Sequence, residues 1–305
     1  MSGDGFLPTD PGAGARAAPA AAVRPGFAAL HSTRWLQFLV LVGPALAVLL
    51  AIYLYPLGKL LALSLGGVEP SAAAYRKFFE SPLYLAILAR TFRISLVVTS
   101  ICLVAGYPVG YLLSRVGPGT AQVLMAAILV PLWTSILVRT YAWMVLLQTN
   151  GVLNKVLERL GVIDGPLRLM YNETGVVIGM AQVLLPFAIL PIYASLRNVD
   201  PRLHAAARIM GARPWRRFRT ITFPLSVPGV AAAALLVFVQ ALGYFIIPAL
   251  LGGSRVITLS MVIESQVVDL LNWAFASAIG MILLVVTVAL VVGFDRALGL
   301  DKVWG

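Results

Sequence analysis

Side chains able to do chemistry are few in this sequence and fall in two places. One is a basic run, Arg197, Arg202, Arg208, Arg213, Arg216, Arg217 and Arg219, set against a single acid, Asp200. The other is Arg139, a charge within an apolar stretch, where insertion costs roughly 2.5 to 3.5 kcal/mol and the side chain turns to protein or water. Tyr141 lies beside it, and Gln240 and Tyr244 are polar groups in a second apolar stretch. The constellations of catalysis are missing. His31 and His204 are the only histidines, Cys102 is the only cysteine, and no G-x-x-x-x-G-K-[ST] phosphate loop occurs. No carboxylate pair or nucleophile elbow lies in an apolar stretch. The expectation is a non-catalytic chain that binds no metal or cofactor and cannot hydrolyse ATP unaided.

The elements that must position these residues are apolar. Of 305 residues, 60% are hydrophobic and 11% charged, against about 25% charged in a soluble domain. A helix crosses a bilayer with roughly 20 mostly apolar residues, and six such stretches stand near 36–62, 91–114, 121–147, 174–196, 229–250 and 273–293. Pro44, Pro56, Pro108, Pro131, Pro186, Pro191 and Pro248 fall in or at the ends of these spans and predict kinked helices around a cavity. Short cytoplasmic loops retain Lys and Arg, so the basic run between the fourth and fifth spans fixes that loop inside and both termini with it. The first external loop runs against this rule, with Arg76, Lys77, Arg90 and Arg93 exceeding Glu69 and Glu80, but seven arginines outweigh it. The reading is an all-α integral membrane protein of six transmembrane helices, N-in/C-in. Residues 1–33 form a disordered cytoplasmic tail, 34–297 one transmembrane domain, and 298–305 a short cytoplasmic tail. The net charge of +11, gathered largely in that loop, calls for anionic lipid or an acidic protein surface and not nucleic acid.

Residues 200–229, DPRLHAAARIMGARPWRRFRTITFPLSVPG, read as a short helix–turn–helix on the membrane face. Asp200 is an N-cap with Pro201 in the first helical position, Leu203, Ala207 and Met210 recur on one face, and Gly211 takes the left-handed position that ends a helix. A second helix starts at Pro214, carries Trp215 and Phe218 on its apolar side, and ends at Pro224. This segment resembles the EAA loop of binding-protein-dependent ABC importer permeases, E-A-A-x-x-x-G followed by an aromatic and P-L-S-x-P-G. Ala206, Ala207, Gly211, Ala212, Phe218, Pro224, Leu225, Ser226, Pro228 and Gly229 match, while Ala205 replaces the glutamate. The resemblance implies a coupling helix over Leu203 to Gly211 that docks in a groove of an ATPase, with Leu203, Ala206, Ala207, Met210, Gly211, Ala212, Phe218 and Pro224 as the coupling residues.

The likeness is nearest to the polyamine-type branch of type I importers. Tyr55-Pro56-Leu57, Pro131-Leu132-Trp133-Thr134-Ser135, Arg139-Thr140-Tyr141-Ala142-Trp143, Gly151-Val152-Leu153-Asn154, Pro248-Ala249-Leu250-Leu251-Gly252-Gly253 and Asn272-Trp273-Ala274-Phe275 carry it. It implies an inner-membrane location and alternating access. The partners would be an ATPase dimer that uses ATP and Mg, a second permease subunit and an extracytoplasmic solute-binding protein. Arg139, Tyr141, Gln240 and Tyr244 are the candidates for the solute path. For Arg139 the competing reading is an ion pair with Glu173 or the outer headgroups. Related permeases place an acid after the Gly of L-G-x-F/Y, where this chain has Leu242-Gly243-Tyr244-Phe245. Glu173, Glu264 and Asp269 read as solvated loop acids near the outer face. The alternative function is a secondary transporter driven by an ion gradient, which calls for intramembrane acids that the spans lack.

Overall fold

The structure is a computed structural model that describes residues 27–66 and 72–298. Most of the expected tails, 1–26 and 299–305, lie outside the described residues; residues 27–33 are already helical. Among the described residues the regular elements are all helical: α1 (Phe27–Ser64), α2 (Ala73–Glu80), α3 (Pro82–Arg115), α4 (Pro118–Leu129), α5 (Ile136–Leu147), α6 (Val152–Arg159), α7 (Glu173–Arg197), α8 (Pro201–Ile209), α9 (Pro214–Arg217), α10 (Phe223–Leu242), α11 (Leu259–Val268) and α12 (Trp273–Leu298). The chain divides into two units, residues 1–57 and 58–305. In the first, the described structure is α1, which is apolar and presents Leu41, Ile52 and Tyr53 at its surface.

Among the described residues, five helices are long and apolar enough to cross a membrane: Val40–Ser64, Pro82–Arg115, Glu173–Arg197, Pro214–Leu242 and Trp273–Phe294. A sixth span results if the bent pair Pro118–Trp133 and Ile136–Arg159 is one crossing. A kink is present at Pro131 as expected, and the bounds of one expected span need correction. The third, 121–147, is not straight but turns by 95° after a 3-10 turn at Val130–Trp133. Pro131 has no N–H to give to the preceding turn, and Thr134 and Ser135 leave the helical region. Each leg, α4 and α5, is about 18 Å long, short of a hydrocarbon core of about 30 Å. The fifth, 229–250, begins earlier and ends earlier, at Pro214 and Leu242.

The core of the second unit is a bundle of α3, α7 and α10. Val98 and Cys102 of α3, Met180, Leu184, Ala188 and Ile192 of α7, and Ala233 and Val237 of α10 are buried together. Two helices approach α7 closely through small residues, as membrane helices do in the absence of a water-driven force. A side chain at Gly110 of α3 would press on Ile192, and one at Gly229 of α10 would meet the Pro191 carbonyl oxygen at 2.7 Å. α7 is itself fixed at its start, where the Asn172 side chain accepts from Gly175 N–H at 2.9 Å. A second cluster, Phe78, Ile87, Leu259, Phe275 and Ile279, packs α2, the start of α3, α11 and α12. The Thr91 hydroxyl accepts from Leu259 N–H at 3.0 Å and ties α11 to α3.

Candidate functional site

The loop between α7 and α10 forms as the sequence spells it up to Gly211. Asp200 accepts from Arg202 N–H at 2.8 Å, and α8 runs from Pro201 to Ile209. Gly211 has a φ of +76°, and Ala212 N–H returns to the Ala207 carbonyl at 2.9 Å, which closes the helix end. Ala207 is 6% exposed and packs inward. Leu203 and Met210 do not share that environment: both are exposed, although Met210 N–H still bonds to the Ala206 carbonyl. Met210 is 80% exposed, Ile209 88% and Trp215 70%, with Leu203 and Ala206 also exposed. Exposed apolar side chains in a segment that also exposes Arg202, Arg213 and Arg216 have the make-up of an interaction surface. Ala205, at the glutamate position, is exposed beside it.

Pro224 does not end a second helix; α9 continues into α10 through a π turn, Phe218–Thr222. Pro224 has no N–H to donate, and the extra residue of the π turn absorbs the mismatch, with Phe223 N–H bonded to the Phe218 carbonyl. The turn also sets Phe218 among aromatic rings. Trp215 stacks on it at 5.6 Å, and Tyr111 and Tyr107 of α3 meet it edge-on at 5.7 and 6.1 Å. Eight residues on from Phe218, Ser226 Oγ lies 2.9 Å from the Tyr107 hydroxyl and itself donates to the Phe223 carbonyl. The loop is thus held to α3 by rings and a hydroxyl pair. The contribution of Tyr107, Tyr111 and Ile209 was missed in the sequence; the signal available was the i, i+4 spacing of the two tyrosines.

The path candidates divide. Arg139 on α5 is half-buried; its Nε and Nη1 are buried and meet no hydrogen-bond partner. Tyr244, the half-buried residue just past the end of α10, lies within range of the Arg139 charge. Tyr141 is exposed on α5, and Gln240 is half-buried on α10. The expected pairing of Arg139 with Glu173 does not occur. Glu173 is an ion-pair partner of Arg93 and lies 3.6 Å from Arg90. It is therefore no solvated loop acid, and Glu264 is half-buried within α11, while Asp269 is exposed. Asn154, buried between α6 and the chain that follows, exchanges bonds with Leu167: its Nδ2 donates to the carbonyl at 2.8 Å and its Oδ1 accepts from N–H at 3.1 Å. That makes Asn154 a structural tie.

A family model described as binding-protein-dependent transport system inner membrane component matches residues 106–299. The spermidine/putrescine transport system permease protein PotB of Haemophilus influenzae is 35% identical over 263 residues, covering 86% of this chain and 90% of its own. PotB of Escherichia coli is 36% identical over 216 residues, 71% of this chain and 78% of its own. A solved bacterial ABC transporter involved in import of the acidic polysaccharide alginate shares the fold, with a TM-score of 0.70 and 16% identity over 87% of this chain and 96% of that one.

Proposed function

We propose the transport cycle of this chain from one premise: it belongs to the family of binding-protein-dependent transport system inner membrane components, and it is a permease subunit of an ABC importer. The ion-gradient alternative is dropped with that membership. Residues 34–297 act as the permease domain, with both termini in the cytoplasm. A separate ATPase dimer supplies ATP hydrolysis with Mg, a second permease completes the pathway, and an extracytoplasmic binding protein delivers the solute. The loop docks on the ATPase through Leu203, Ala206, Met210, Gly211 and Ala212. Ala207, Phe218 and Pro224 hold its shape from behind. Closure of the ATPase dimer pulls the paired loops together, and the bundle of α3, α7 and α10 rocks as a body between outward and inward states.

The solute is a polyamine. The observation that carries this is 35% identity to a spermidine/putrescine permease across 86% of the chain. Arg139 carries a second reading, because two orphaned guanidinium nitrogens at membrane depth fit a solute with an anionic group better than a cation. The test is uptake into vesicles holding the complete importer and its binding protein. ATP-dependent uptake of radiolabelled spermidine or putrescine that persists with ion gradients collapsed supports the polyamine reading. Uptake only of acidic or zwitterionic solutes replaces it with the second, and uptake that stops when the gradients collapse overturns the importer cycle.

A further inference from the structure

Behind α8 lie two adjoining cavities of about 230 and 180 Å³, joined by the residues they share, Arg115, His204 and Thr222. Their basic walls come from four elements: Arg115 from the last turn of α3, Arg197 from the last turn of α7, His204 and Arg208 from α8, and Arg217 from α9. No carboxylate lines either cavity. The guanidiniums share what polar partners they have with neutral groups: Arg115 lies 3.5 Å from His204 Nε2 and over the Tyr111 ring, and Arg197 donates to the Tyr193 hydroxyl at 2.5 Å. Arg217 Nε is buried with no partner. Thr222, 2% exposed, lines both cavities, and its hydroxyl also lacks a partner, although a helical threonine ordinarily donates to the carbonyl four residues back. The other arginine pair of this unit contrasts with this group, since Arg90 and Arg93 enclose Glu173.

Like charges gathered without a counter-ion, beside an idle buried hydroxyl, call for an anion with several acceptor oxygens. We propose that this cavity is a binding site for a phosphate group, of a phospholipid headgroup or of free phosphate, seated between the ends of α3 and α7 and the inner face of α8. The position separates it from the ATPase. Pro201, His204 and Arg208 recur three and four residues apart and share the cavity face of α8, whereas Leu203 and Ala206 fall on the opposite face. Arg115 and Arg197 end their spans, at the depth where headgroups lie. An occupant there braces α8 against the bundle, so that force on the loop is passed to α3 and α7. The placement at the cytoplasmic leaflet rests on the proposed orientation, but binding does not.

The test uses the complete importer, delipidated in neutral detergent, with wild-type permease and its Arg115→Gln and Thr222→Val variants. Inorganic phosphate is titrated at constant ionic strength, and only the difference between wild type and variants is read, since the ATPase has its own phosphate affinity. The expected result is a rise in the melting temperature that needs at least tenfold more phosphate in either variant. The same preparations in nanodiscs of phosphatidylcholine with or without phosphatidylglycerol then distinguish the sources. Anionic lipid retained by wild type and lost by the variants, seen by native mass spectrometry, identifies a headgroup; phosphate-dependent shifts without lipid retention identify free phosphate. Identical curves and identical lipid content in all three proteins overturn the site, as does a crosslink from Arg115→Cys to an acidic segment of the ATPase. Because uptake is not the readout, failure here leaves the transport cycle standing, and failed uptake leaves the site standing.

Discussion

Arg139 is the residue on which stability and function are set most clearly against each other. A half-buried guanidinium with two buried, unpartnered nitrogens costs folding energy, so its replacement by an apolar side chain of similar length relieves the fold. Arg139→Met is expected to keep or raise the melting temperature and to lower ATP-dependent uptake at least tenfold, with Arg139→Lys between; a drop in melting temperature with uptake intact would make it a structural residue. His204 is the second case. Burial, and after it the positive fields of Arg115, Arg217 and Arg208, hold its imidazole below the ordinary value of 6.5. The unfolded chain then binds the proton more readily, so stability rises with pH across that window and falls as pH drops from about 6.5 through the lowered folded value. In phosphate-free buffer, melting curves between pH 7.5 and 5 should show this loss in wild type and flatten in His204→Gln.

At the scale of the element, α8 and α10 ask for different tests. α8 exposes Ile209 almost fully, so Ile209→Glu should leave the permease fold within about 0.5 kcal/mol of wild type and abolish copurification of the ATPase. Retained ATPase would remove this face from the docking surface. α10 is seated on α7 by the absence of a side chain. A Cβ at Gly229 would overlap Ser195 and lie 2.7 Å from the Pro191 carbonyl, and both sit on a helix that cannot yield without disturbing the core. Gly229→Val should cost about 1 to 3 kcal/mol, read as a lowered melting temperature in detergent. The π turn between α9 and α10 explains why the first proline of P-L-S-x-P-G is tolerated inside a span. The serine is bonded to Tyr107 and to the Phe223 carbonyl, and Pro224 follows a turn already widened.

At the scale of the whole molecule, the proposed cycle makes this permease one part of an assembly. Crosslinking in native membranes followed by mass analysis should give an assembly of this chain with one further permease and two ATPase subunits; a solitary chain would contradict the proposed cycle. Much of this was written in the sequence. Apolar length fixed the helical class, the basic run marked the loop, and Asp200, Pro201 and Gly211 located α8 to within a residue, because caps and positive φ are local properties of a few neighbouring residues. The 95° turn after Val130–Trp133 was foreshadowed only by Pro131, since a proline tells where hydrogen bonding fails but not how far the chain turns. The partner of Glu173 was not legible at all: Arg90 and Arg93 lie some eighty residues earlier, and only the packing of α3 on α7 brings them to it. Packing between distant segments also leaves Arg139 Nε and Nη1 without a partner among the described residues and sets Arg115, Arg197, His204, Arg208, Arg217 and Thr222 around two adjoining cavities. Local chemistry was readable from the sequence because it depends on near neighbours; which charges are paired and which are left open depends on contacts between distant segments, which only the tertiary structure decides.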